Sequence, residues 1–413
     1  MNVELVTIGT ELLLGFTIDT NGAEISGALA TQGVRVTRRT AVADHEPDIR
    51  DAVSAALQRT GAVITTGGLG PTRDDMTKRI VADLFGAPLE FDERIWASLL
   101  ERFARAGRAP AQSNRSQAEV PRGAIVLPNR WGTAPGLWIE GAPGLVVLLP
   151  GVPHEMRMLL QHEVVPRLAG RGGGRVIRSL VVRTTGIPES TLAERMGEIE
   201  RDVAPLGLAY LPGLDGVDLR LTAWNLPPAE ADGLLRPAAD LLRARAGEFV
   251  YGEGDADLAA LVLQEARSRG LRVGVAESCT GGLIGERLTE TAGSSDVFVG
   301  GVVCYENSLK ISLLGVPPAL VQSEGAVSEA MARAMAVGAI QRLGVDLAVS
   351  VTGIAGPGGG TEEKPVGTVW LGLAHGGEVT ARRSLFPGNR QDIRRRASQA
   401  ALFMMLERLR GPS

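Results

Sequence analysis

The chain has 413 residues, enough for two or three domains with ample core. Hydrophobic content of 44% and charged content of 22% belong to a globular protein rather than a disordered one. A net charge of −4 gives no electrostatic footprint for nucleic acid or an anionic membrane. No apolar run reaches the ~18 residues of a membrane span, and the opening Met1-Asn2-Val3-Glu4 lacks the basic region of a signal peptide. Cys279 and Cys304, the only cysteines, are too few for a disulfide framework or a thiolate metal site. A cytoplasmic location is expected.

Two glycine-rich seams, Gly170–Gly174 and Gly252–Asp255, read as linkers and divide the chain into segments 1–170, 174–250 and 255–413. In the first, hydrophobic patterning predicts strands at Val3–Ile8, Val34–Val42, Ala62–Thr66 and Leu145–Leu149. Helices are predicted at Asn21–Gln32, Pro47–Arg59, Asp75–Phe85, Asp92–Ala106 and Pro153–Leu168. This alternation argues an α/β, doubly wound sheet that binds ligands at the carboxyl ends of its strands. The middle segment offers strands at Arg178–Thr184 and Asp218–Trp224 and helices at Glu189–Ile199 and Pro228–Ala246, a small α+β module without a catalytic cluster. The third predicts helices at Leu258–Arg269, Thr280–Thr289, 328–343 and Gln391–Leu409. Its strands are Arg272–Ala276, Val297–Tyr305, Leu347–Val351, Thr368–Ala374 and Glu378–Phe386, an α/β/α sandwich.

The third segment carries the strongest chemical signal. Ser278 lies in Val275-Ala276-Glu277-Ser278-Cys279-Thr280-Gly281-Gly282, at a strand-to-helix turn backed by glycines. A serine needs a base to become a nucleophile. Of four histidines only His375 falls in this segment, which disfavours a Ser-His-Asp triad. Lys310 is one of three lysines beside 40 arginines. A lysine kept in so arginine-rich a chain suits a role that needs proton loss, which arginine cannot supply. Tyr305, five residues earlier, is a candidate proton relay. The plain alternative is a surface lysine and a half-buried tyrosine. Cys279 is a rival nucleophile or a small buried apolar residue. Gly353–Gly360 is either a ligand-wrapping loop or a long turn, and Arg390 stands at a helix start suited to phosphate.

These stretches, with Gly325-Ala326-Val327-Ser328 and Glu363-Lys364-Pro365-Val366-Gly367-Thr368-Val369, resemble the nicotinamide mononucleotide deamidases. The resemblance implies Ser278 as nucleophile, with Lys310 and Tyr305 as its activating pair. The substrate it implies is nicotinamide mononucleotide, and the products are nicotinic acid mononucleotide and ammonia. Substrate contacts would come from Glu277, Cys279, Thr280, Gly281, Gly353, Ile354, Ala355, Gly356 and Arg390, with no cofactor. Glu277 would sit near the pyridinium charge, and N–H groups near Cys279–Gly281 would hold the oxyanion.

In the first segment, Gly9-Thr10-Glu11 with Asp19-Thr20-Asn21 follows the first strand. Thr65-Thr66-Gly67-Gly68-Leu69-Gly70-Pro71-Thr72-Arg73-Asp74-Asp75-Met76-Thr77 follows the third predicted strand. A glycine-rich turn between strand and helix suits a phosphate, and paired carboxylates beside it suit a divalent cation. The paired aspartates also read simply as a helix N-cap. These motifs and Leu149-Pro150-Gly151 resemble the molybdopterin-binding family of molybdenum-cofactor biosynthesis. The three segments together resemble CinA, the competence/damage-inducible protein A family, whose middle module is KH-like. That resemblance implies a metal-dependent ADP-ribose pyrophosphatase in the first domain. Gly9, Glu11, Asp19, Asn21, Gly67, Gly68, Gly70, Asp74 and Thr77 would hold the ligand. Asp44 and Asp75 would hold a divalent metal, with potassium as a second candidate ion. The nearest match to a KH Gly-x-x-Gly loop, Gly213-Leu214-Asp215-Gly216, is acidic, which disfavours nucleic acid as a partner. A homodimer is expected. The alternative readings are a molybdopterin-binding protein or a DNA-uptake or recombination accessory, each with an inactive third domain.

Overall fold

The computed structural model describes residues 1–411. They divide into two compact units, Met1–Arg178 with Ala223–Gly233, and Ser179–Thr222 with the chain from Leu234 onward. No helix among the described residues is long and apolar enough to cross a membrane.

The first unit is built on a six-stranded sheet in the order β2-β1-β3-β8-β7-β6. Its strands are β1 (Asn2–Ile8), β2 (Arg35–Val42), β3 (Ala62–Thr66), β6 (Ile125–Leu127), β7 (Gly136–Gly141) and β8 (Gly144–Leu149), while β4 (Leu89–Phe91) and β5 (Glu119–Pro121) form a separate hairpin. Strands β2, β1, β3 and β8 are mutually parallel and β7 runs antiparallel to β8 and β6. The central parallel strands β1 and β3 are buried along almost their whole length, polar Glu4, Thr7, Thr65 and Thr66 included, whereas the edge strand β2 is largely exposed. Of the helices α1 (Thr10–Leu13), α2 (Thr20–Ala30), α3 (Glu46–Thr60), α4 (Thr77–Leu84), α5 (Glu93–Arg105), α6 (Pro153–Leu159) and α7 (Val165–Leu168), α2 and α6 pack in one apolar cluster. Helices α3 and α4 pack in the other, so the sheet is doubly wound. Helix α3 shows how local sequence sets its ends. Pro47 fits its first turn, and Gly61 closes it at φ 69°, giving its N–H to the Leu57 carbonyl.

The middle module has a four-stranded sheet, β10-β11-β9-β12, from β9 (Val176–Thr184), β10 (Gly207–Pro212), β11 (Val217–Leu226) and β12 (Val250–Glu253). Helices α8 (Glu189–Met196), α9 (Ile199–Asp202) and α10 (Pro228–Ala246) complete its elements. The last segment forms the sheet β14-β13-β15-β16-β17, from β13 (Val273–Glu277), β14 (Phe298–Val303), β15 (Leu347–Gly353), β16 (Thr368–His375) and β17 (Glu378–Leu385). Strands β14, β13 and β15 are parallel, and the last two antiparallel. Its helices are α11 (Leu258–Ser268), α12 (Leu283–Thr289), α13 (Asn307–Leu314), α14 (Pro318–Glu324), α15 (Glu329–Leu343) and α16 (Arg390–Arg410). Helices α11, α12 and α16 share one apolar cluster and α13 and α15 the other, giving the α/β/α sandwich.

Four expectations change. The helix expected over Thr280–Thr289 begins at Leu283, because Gly281 and Gly282 stand at φ 61° and 98°, outside the helical range. The helix expected from Asp75 begins at Thr77. Helix Pro153–Leu168 is interrupted by a π turn over Leu160–Val164, since Pro166 lacks the N–H that would bond four residues back. Gly252 and Glu253 are not linker but edge strand β12, paired antiparallel with β9.

Candidate active site

The order β14-β13-β15 brings three loops side by side at the carboxyl ends of parallel strands. Glu277 is in register with Val303 on one side and Val351 on the other. Ser278, Cys304–Lys310 and Gly353–Gly356 therefore leave neighbouring strand ends, the place where open α/β sheets bind ligands.

Ser278 is only 7% exposed and its N–H donates to the Val351 carbonyl at 2.9 Å, tying the turn to β15. Its own carbonyl accepts from Gly281 N–H at 3.1 Å. That bond removes Gly281 from the expected oxyanion donors. Among the described residues, the N–H groups of Cys279 and Thr280 have no protein acceptor, and these two remain. Glu277 is 1% exposed and accepts from the N–H groups of Gly282, Ile284 and Gly285 at 3.0, 3.1 and 2.9 Å. It caps the first turn of α12 from inside, so the expected place beside a pyridinium ring is corrected to a structural one. Cys279 is buried, which pushes its thiol up to about 12 and keeps it a protonated, unreactive group. The buried Thr280 hydroxyl has no partner.

Lys310 is 1% exposed, and its Nζ donates to the carbonyls of Cys304 at 3.0 Å and Tyr305 at 3.2 Å. Burial pushes its pKa below the ordinary 10.5, with the nearby Cys304 and the Glu306 carboxylate pulling the other way. Cys304 N–H in turn donates to the Glu277 carbonyl at 2.8 Å, which joins the lysine's loop to the serine's strand. The Tyr305 side chain is 58% exposed and points elsewhere: its hydroxyl accepts from Arg390 Nη2 at 2.9 Å. Arg390 also donates to the Gly356 carbonyl at 2.7 Å. The Lys310 ammonium thus meets Tyr305 at its main-chain carbonyl, not at its hydroxyl. Ile354 N–H donates to Thr368 O at 2.8 Å, pinning Gly353–Ala355 beside β16, and Ala355 is buried in the core. Arg394 was not anticipated. Its Nε and Nη2 donate to the Thr280 carbonyl at 3.2 and 2.7 Å. Its spacing of four from Arg390 on one helix face was the available signal.

The first unit repeats the architecture. Gly9, Asp44, Gly67 and Gly151 follow the carboxyl ends of β1, β2, β3 and β8, which are neighbours in the sheet. Asn21 Nδ2 donates to Thr66 Oγ1 at 3.0 Å and to the Gly151 carbonyl at 2.8 Å. Its Oδ1 is buried without a partner, as is Thr77 Oγ1. A Cβ on Gly68 would come within 2.0 Å of that hydroxyl, so only glycine fits there. The carboxylates are otherwise engaged. Asp19 caps Gly22 N–H at 2.8 Å and pairs with Arg39 at 2.9 Å. Asp44 Oδ2 accepts from Thr10 N and Oγ1 at 2.8 and 3.0 Å. Asp75 accepts from Gly70 N at 2.7 Å, Thr72 N at 2.9 Å and the Thr72 hydroxyl. Asp74 and Glu11 are exposed. No three His, Cys, Asp or Glu side chains converge among the described residues. As placed, Asp44 and Asp75 do not fit a ready divalent-metal site. Lys78, also unanticipated, donates to the Ser116 carbonyl, and burial lowers its pKa to about 8. The arginine bias that singles out Lys310 applies equally to it.

Three family models match in series: "Probable molybdopterin binding domain" over residues 4–170, "Damage-inducible protein CinA KH domain" over 179–252 and "CinA C-terminal domain" over 255–409. A CinA-like protein of Gemmatimonas aurantiaca is 54% identical over 406 residues, covering 97% of this chain and 95% of that one. The chain belongs to the CinA family. A second CinA-like protein, from Chlorobaculum tepidum, is 43% identical over 99% of both chains. Among solved structures, the competence/damage inducible protein of Agrobacterium tumefaciens is 44% identical, with a TM-score of 0.36, over 37% of this chain and 94% of that one.

Proposed function

We propose that the last segment of this CinA-family chain hydrolyses the carboxamide of nicotinamide mononucleotide to nicotinic acid mononucleotide and ammonia. The observation that carries the reading is that Ser278 and the loop holding the buried Lys310, whose pKa burial lowers, follow the adjacent carboxyl ends of β13 and β14. Ser278 Oγ attacks the carboxamide carbon while neutral Lys310 takes its proton. The N–H groups of Cys279 and Thr280 stabilise the oxyanion. The C–N bond breaks, ammonia leaves with the transferred proton, and water then cleaves the acyl-serine ester to the free acid. Tyr305 accepts from Arg390 and keeps its own proton for donation. Arg390, held by the Gly356 carbonyl and the Tyr305 hydroxyl, is the residue proposed to meet the substrate's phosphate.

A second reaction, hydrolysis of the ADP-ribose pyrophosphate bond, is proposed for the first unit. The unpartnered Asn21 Oδ1 and Thr77 Oγ1 beside the Gly67–Gly70 turn favour a polar ligand there. Ammonia release from nicotinamide mononucleotide tests the main reading. Lys310→Arg keeps the charge but removes the base, and should lower turnover by about 10³-fold or more. Near-normal turnover in that variant would remove lysine from the mechanism.

A further inference from the structure

Gly213-Leu214-Asp215-Gly216 joins β10 to β11 as a tight hairpin, with Gly213 N–H donating to the Gly216 carbonyl at 2.8 Å. The hairpin is pressed onto β9. Thr185 Oγ1 donates to the Asp215 carbonyl at 2.7 Å, and a Cβ on Gly216 would fall 1.9 Å from the Thr184 carbonyl. From this fixed base Asp215 meets Arg395 of α16 in a two-pronged pair, Nε to Oδ1 and Nη2 to Oδ2, both 2.7 Å. Both side chains are partly buried, at 30% and 38% exposure, which lifts the pair above an ordinary surface contact.

What lies behind Arg395 matters more. Its neighbour Arg394 holds the Thr280 carbonyl, in the turn that follows Ser278. Arg287, on α12 after the same turn, is 4% exposed and has no carboxylate in contact among the described residues. It donates to Ser398 Oγ at 3.0 Å and Gln399 Oε1 at 2.8 Å, both on α16. Arg287, Arg394 and Arg395 thus all serve the α12–α16 region, and Asp215 is the carboxylate in direct contact with one of them, Arg395. Burial pushes the Asp215 carboxyl up, but Arg395 outweighs it and the net shift is downward. The module is anchored by apolar contact as well: Tyr251 of β12 is buried in the cluster that holds Leu258 and Phe403.

We propose that Asp215 is a positioning residue for the C-terminal site. The middle module's acidic hairpin clamps α16, so that Arg394 and Arg287 hold the nucleophile turn in its working shape. On this view the hairpin's partner is the chain's own catalytic segment, not a nucleic acid. The kinetic half of the proposal rests on the deamidase reading above.

The test uses the full chain carrying Asp215→Asn, Arg395→Asp, or the paired reversal Asp215→Arg with Arg395→Asp. Two readouts are followed, ammonia release from nicotinamide mononucleotide and amide hydrogen exchange over residues 278–289. Asp215→Asn should lower kcat about tenfold with KM within about twofold, and should speed exchange in that segment. The paired reversal should return both readouts to within about threefold of the starting protein. Unchanged exchange and kcat in Asp215→Asn would overturn the proposal. So would a paired reversal no better than either single change. Should the unaltered protein release no ammonia, the deamidase reading fails on its own and the exchange measurement alone decides the positioning role.

Discussion

The two mixed sheets, each with a parallel core of strands, solve the same local problem differently. Each ends in a glycine-rich strand-to-helix turn flanked by carboxylates, and each leaves buried polar atoms unpartnered. In the C-terminal turn one carboxylate, Glu277, satisfies three helix N–H groups and leaves Ser278 and the N–H groups of Cys279 and Thr280 available. In the N-terminal turn Asp19, Asp44 and Asp75 are all engaged by local donors, and the unpartnered atoms belong to Asn21 and Thr77. A carboxylate in such a turn builds the turn before it does chemistry. The atoms left over are the better guide to function.

That contrast breaks most visibly at Glu277. Glu277→Gln removes the charge from three buried hydrogen bonds and should destabilise the fold by about 1–3 kcal/mol, lowering Tm and turnover together. Asp75→Asn, in a more exposed loop, should cost about 1 kcal/mol in a thermal melt. Thr77→Val should leave stability within about 0.5 kcal/mol, because no hydrogen bond is lost, yet should weaken ADP-ribose binding measured by calorimetry. A large loss of stability in Thr77→Val would mean that the hydroxyl serves the fold rather than a ligand. The smallest change expected is in Cys279→Ala, whose turnover should stay within about threefold, since burial holds the thiol protonated.

The pH profile sharpens the same comparison. Neutral Lys310 is the proposed base, so kcat/KM for the carboxamide should be low in acid and rise as pH climbs through the lysine's pKa. Because burial lowers that pKa, the rise should level off below the ordinary 10.5. A profile flat from neutral to pH 10 would argue against a titrating lysine.

Much of the fold was legible in sequence because the central strands β1, β3, β8, β13 and β15 are buried along almost their whole length and the helices carry strong end signals. Asn389 and Ser328 cap α16 and α15, and Gly61 ends α3. Helix α13 escaped notice because its apolar residues lie in a short run following Tyr-Glu, without a helical stripe. Strand β12 was hidden by glycines that read as linker. At the site, sequence brought forward Ser278 and Lys310 through chemistry that only those side chains can do. It could not tell that Tyr305 bonds Arg390, which depends on segments 85 residues apart meeting, nor that Glu277 turns inward, which depends on the left-handed Gly281–Gly282 turn bringing N–H groups five to eight residues on back to its carboxylate.

The central claim is that Ser278 carries one reaction and the Gly67–Thr77 turn another. Incubating the chain and its Ser278→Ala variant with nicotinamide mononucleotide and, separately, with ADP-ribose, and identifying products by mass spectrometry, tests it directly. The account predicts nicotinic acid mononucleotide and ammonia from the unaltered chain, none from Ser278→Ala, and equal ADP-ribose hydrolysis by both. Nicotinic acid mononucleotide formed by Ser278→Ala, or loss of both reactions together, would contradict it.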